Sequence, residues 1–188
     1  MRRPSSLRPV RMASLVAVLA APAAPLHADA YLTPFVGAAF GGRTDDSKIA
    51  YGGSVAFAGR SGVVGFGVDL GHIPDFLGTT GVGNNNVTSL MGNLMLLTPG
   101  DTRFYASGGL GLMKTRVEDV DGLFRVDSND FGVNLGGGVM LFLGDTIGLR
   151  ADVRYFRSLT DPEPDAEFDV DLGDLDFWQA TGGITLRF

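Results

Sequence analysis

DFWQATGGITLRF, residues 176–188, reads as two faces in strict alternation. Taken in twos from the end, Phe188, Leu186, Ile184, Gly182, Ala180 and Trp178 form one face, apolar and bounded by an aromatic at each end. Arg187, Thr185, Gly183, Thr181 and Gln179 form the other, polar or small. A two-residue period is that of a β-strand, whose successive side chains point to opposite sides. Ten steps of about 3.3 Å, tilted by about 40°, rise roughly 25 Å, the height of the apolar band on a strand that faces lipid.

Seven further segments alternate in the same way, giving eight predicted strands over 31–41, 48–59, 62–73, 87–98, 102–115, 130–143, 146–158 and 175–188. The connections also alternate, between tight turns such as Gly59-Arg60-Ser61-Gly62, Pro99-Gly100-Asp101 and Gly144-Asp145 and longer polar stretches at 43–47, 74–86, 116–129 and 159–174. Four long connections at one end and three short ones at the other suit an eight-stranded antiparallel up-and-down barrel with both termini on the short-turn side. A soluble sandwich alternates too. The features that favour a membrane barrel are the aromatic strand ends, the terminal Phe and the segment that precedes the first strand.

That segment has Arg2, Arg3, Arg8 and Arg11 before the apolar run 12–21, then the small-x-small pattern Ala28-Asp29-Ala30. It predicts a cleaved secretory leader over 1–30 and a barrel domain over 31–188, with cleavage after Ala28 as the alternative to Ala30. No later run of eighteen apolar residues predicts a transmembrane helix. The chain has 15 basic and 21 acidic residues, net −6. Without the first thirty, 11 basic and 20 acidic remain, net −9, which excludes a nucleic-acid surface built on clustered cations. Cys is absent, so disulfides and thiolate metal sites are excluded.

The opening YLTPFVGAAFGG, residues 31–42, and the closing Leu186-Arg187-Phe188 resemble the small outer-membrane β-barrel family, which includes OmpA-like transmembrane domains, OmpX and the opacity proteins. The resemblance implies a location in the outer membrane of a Gram-negative bacterium, reached by Sec export. It implies short periplasmic turns, long extracellular loops, and a role in membrane integrity, adhesion or surface interaction. Implied partners are outer-membrane lipid and lipopolysaccharide, with the barrel-assembly machinery and periplasmic chaperones during biogenesis. A monomer without a cofactor is expected. Trp178, Ile184, Leu186 and Phe188 resemble the signal that the assembly machinery reads, and Phe188 equally suits an aromatic girdle.

Parity turns Asp69, Arg103, Asn134, Arg150, Asp152, Arg154, Gln179 and Arg187 inward as a lumen polar network. An eight-stranded lumen is only wide enough for side chains to fill, and unpaired charges there are costly. The expectation is a salt-bridged plug, with a narrow porin-like channel as the alternative. His72, the one His after the leader, falls on the lipid-facing parity near the rim. With no Ser two residues on, a lipid A-modifying enzyme is a distant third reading, and no nucleophile–base–orienter set assembles. Asp161, Glu163, Asp165, Glu167, Asp169 and Asp171 alternate within an acidic stretch. They are candidate divalent-cation ligands or a solvated charge run. Gly108-Gly109 and Gly136-Gly137-Gly138 lack the Lys and following helix of a phosphate loop, and are read as permitting strand curvature.

Overall fold

The computed structural model of the chain describes residues 29–42, 44–59, 61–76, 85–118, 125–159 and 175–188. These form eight strands: β1 (Asp29–Gly41), β2 (Thr44–Ala58), β3 (Val64–Pro74), β4 (Asn85–Leu97), β5 (Thr102–Glu118), β6 (Arg125–Phe142), β7 (Ile147–Ser158) and β8 (Asp176–Arg187). Each pairs antiparallel with its chain neighbour, and β8 returns to β1 to close a barrel. Closure leaves no edge: strand N–H and C=O groups meet partners on both sides, the condition for carrying a sheet through hydrocarbon. The last closing rungs are Ala30 N–H to Phe188 O at 3.2 Å and Phe188 N–H to Ala30 O at 2.9 Å.

Strand boundaries depart from the periodicity most at the end away from the termini. β6 begins at Arg125 rather than near 130, β5 runs to Glu118 and β2 starts at Thr44. These extensions are polar, and their ladder hydrogen bonds persist where hydrophobic alternation has stopped. One connection expected to be long is therefore short: β1 and β2 are joined across residues 42–43 alone. Gly41 and Gly42 make this turn at φ of 71° and 63°, in the left-handed region where a Cβ is penalised. At the other end, β1 begins two residues early, so that Asp29 and Ala30, expected within the leader, pair with Ala58 and Phe57. The rest of the predicted leader and the acidic stretch from Asp161 to Asp171 lie outside the described residues.

Parity sorts the two faces. The outward set includes Val36, Phe66, Leu94, Phe104, Leu135, Leu149 and Ile184, all exposed, with Leu135 at 69%. A continuous belt of this kind is far larger than the apolar patches that monomeric soluble proteins tolerate. Its natural solvent is lipid. The inward set is buried in layers.

Candidate functional site

The lumen is filled in three layers. In the middle, β7 points Arg150, Asp152 and Arg154 inward, and β3 adds Asp69. Arg154 donates through Nη1 to Asp69 Oδ2, and its Nε lies 3.3 Å from Asp152 Oδ1. Arg150 Nε donates to Asp152 Oδ2 at 3.0 Å and to Tyr105 Oη at 2.7 Å, while its Nη1 reaches Ser54 Oγ at 3.1 Å. Tyr105 in turn donates to Asp152 Oδ2 at 2.7 Å, and Asn93 Nδ2 to Asp69 Oδ2 at 2.8 Å. Two guanidiniums thus face two carboxylates in a buried layer with no net charge, the arrangement that keeps desolvated ions tolerable.

The glycines of β6 make room for this layer. Gly136 and Gly138 sit opposite Arg154 and Asp152 in the ladder. A Cβ on Gly136 would come within 2.7 Å of Arg154 Cγ, closer than Cβ atoms pack.

An apolar layer closes the loop end. Phe156 and Phe177 stack at 5.0 Å, and Phe76 meets Phe177 edge-on at 5.2 Å. Ile73, Val87, Met91, Met113 and Leu175 complete the cluster. At the termini end a second apolar layer contains Tyr31, Met95, Leu97, Met140 and Phe142. Arg103 and Arg187 belong to this rim rather than to the central network. The Arg187 guanidinium lies 4.4 Å from the Phe142 ring centroid, and Arg103 lies 5.7 Å from it on its own approach. Arg103 pairs with Asp29 at 3.0 Å and donates to the Tyr31 hydroxyl; Arg187 Nε donates to Asp145 O at 2.7 Å. Such contacts combine cation–π attraction with charge-assisted hydrogen bonds.

Asn134 points inward and is buried, yet neither its Oδ1 nor its Nδ2 has a hydrogen-bond partner among the described residues. Gln179 lines, with Phe35, Asp69, Arg154 and Phe156, a cavity of about 20 Å³. That holds a water molecule, not a solute.

Periodicity missed the two apolar layers. Phe156 and Phe177 sit on the polar parity of their strands, one step beyond Arg154 and Gln179, so following that parity to the rim would have found them. Phe76 carries no periodic signal, because it follows the turn residue Asp75, at φ 50°.

On the outside, Trp178, Ile184 and Phe188 are exposed along β8, and Leu186 shares their face. His72 also faces outward, half-buried, with Nδ1 2.9 Å from Thr88 Oγ1 and its ring 5.4 Å from Tyr51. The hydroxyl–imidazole spacing suits a nucleophile and its base, but no described carboxylate orients the ring as such chemistry requires. Among the described residues no group of three or more His, Asp or Glu is placed to hold a metal ion.

The family model for the outer membrane protein beta-barrel domain matches residues 12–188. No curated protein matches by sequence. Among solved structures, Neisserial surface protein A (NspA) superimposes with a TM-score of 0.63 at 14% identity, over 85% of this chain and 97% of that one. The N-terminal β-barrel domain of Pseudomonas aeruginosa OprF gives 0.59 at 16%, over 85% and 97%. Ail, the attachment invasion locus protein of Yersinia pestis, in complex with the heparin analogue sucrose octasulfate, gives 0.56 at 13%, over 86% and 98%.

Proposed function

Since the chain belongs to the outer membrane protein beta-barrel domain family, we propose that it serves as a closed, non-enzymatic scaffold in the outer membrane. Its loop-end connections carry whatever surface role it has, in membrane integrity, adhesion or surface interaction. The observation that carries this reading is the filled lumen: a neutral Arg–Asp layer lies between two apolar layers. A solute crossing it would have to displace Phe156 and Phe177 and then separate buried ion pairs, each of which costs several kcal/mol to break. The porin-like alternative draws no support from a cavity of about 20 Å³. Nor does the His72–Thr88 pair, which lacks an orienting acid among the described residues, support lipid hydrolysis.

Export follows the Sec route in this reading. Trp178, Ile184, Leu186 and Phe188, on the strand that closes against β1, serve as the assembly machinery's recognition face. Liposome swelling tests the proposal: vesicles containing the refolded protein swell in small sugars and amino acids no faster than protein-free vesicles. Swelling that rises with protein and falls with solute size would refute it.

A further inference from the structure

We propose that the outer face of β3–β5, at the loop end, is a binding site for the phosphate group of an outer-leaflet lipid, formed by His72, Thr88 and Lys114. The three occupy one ladder row: His72 pairs with Thr88, and Thr88 with Lys114. Parity puts all three on the lipid-facing side, and all are half-buried rather than immersed in solvent. The next row toward the membrane centre is Leu70, Leu90 and Leu112, with exposures of 53%, 48% and 56%. The change from leucines to hydrogen-bonding and cationic groups therefore occurs within a single row, at the depth where acyl chains give way to headgroups.

The donors are arranged for an anion. His72 is held by Thr88 at Nδ1 and by the Tyr51 ring, which leaves Nε2 without a partner among the described residues. Lys114 has no carboxylate partner among the described residues, in a chain whose acids outnumber its bases by 21 to 15. The loop end of the opposite wall is built differently. There the ladder aligns Tyr155, Trp178 and Phe40, and Tyr155 donates to Asp176 at 3.1 Å. That is an aromatic girdle whose acid faces Arg157 across the ladder, suited to holding depth.

A row of leucines directly beneath the donors selects a phosphate that arrives attached to acyl chains over one free in solution. A phosphomonoester gathers such donors through charge-assisted bonds, and a basic side chain at a charged bilayer surface contributes about fivefold in affinity.

Native mass spectrometry from phosphatidylcholine nanodiscs tests the site, with bisphosphorylated lipid A and its dephosphorylated form as competing probes. The wild-type barrel is expected to retain the phosphorylated form preferentially, by about fivefold or more. Lys114→Arg is expected to keep that preference, His72→Gln with Lys114→Gln to abolish it, and excess inorganic phosphate to leave it unchanged. Equal retention of both probes by wild type would overturn the proposal, as would an undiminished preference in the double variant or displacement by inorganic phosphate. If the double variant does not assemble, Lys114→Gln alone decides: it must lower the preference, and an unchanged ratio refutes the site.

Discussion

The pairing of Arg154 with Asp69 makes the most demanding prediction about what fills the barrel. Both side chains are nearly removed from solvent, at 7% and 12% exposure, and Arg154 shares its charge between Asp69 and Asp152. Asp69→Asn keeps the shape but leaves two guanidiniums to one carboxylate, and Arg154→Met leaves Asp69 with only the Asn93 amide. Removing one partner of a buried pair costs about 3–5 kcal/mol, so each single variant should lose about 3 kcal/mol. Independent effects would sum to about 6 kcal/mol. Because the double variant restores a neutral lumen, it should lose only about 3–4 kcal/mol, a coupling of about 2–3 kcal/mol. Urea unfolding from lipid vesicles reads these values through Trp178, the single tryptophan, which faces lipid when folded. The coupling should barely change with salt, since buried pairs are poorly screened. Additive effects, or single losses below about 1 kcal/mol, would mean that the ions are solvated and the layer is not dry.

Two other outcomes follow from unusual placements. Asn134 is buried without a hydrogen-bond partner among the described residues, so Asn134→Leu, which keeps the branching and heavy-atom count while removing the polar atoms, should raise stability by about 1–3 kcal/mol in the same urea assay; a loss would show that the amide has a partner or that the larger side chain does not fit. Parity groups Asn134 with the charged residues, but no described neighbour uses its polarity. The mature chain is expected to begin at Asp29, after cleavage following Ala28, because cutting after Ala30 would discard the Asp29–Arg103 pair and the Ala30–Phe188 rungs. N-terminal sequencing of protein from outer membranes should read Asp-Ala-Tyr, and Tyr-Leu-Thr would contradict this.

The number of strands, their antiparallel order and their facing were legible because lipid outside and a packed lumen inside impose opposite chemistry on alternate residues. Where that contrast ends, legibility ends. Residues 125–130 of β6 are Arg-Val-Asp-Ser-Asn-Asp, still hydrogen-bonded to β5 but with no membrane to enforce a pattern. The central charges could be listed from parity, but their pairing could not. Arg154 meets Asp69 across 85 residues of sequence, a match set by register around the whole barrel. Likewise the glycines of 136–138 announce close packing, but that Gly136 makes room for the stem of Arg154 appears only once β6 and β7 are aligned.

Phe156 and Phe177 above, the Arg–Asp layer between, and Tyr31 and Phe142 below fill the lumen. Single-channel recording in planar bilayers shows whether this filling closes the barrel to ions. A closed lumen gives a flat baseline after insertion, without steady unitary steps; a stable, large unitary conductance from the wild-type protein would mean that the lumen is open.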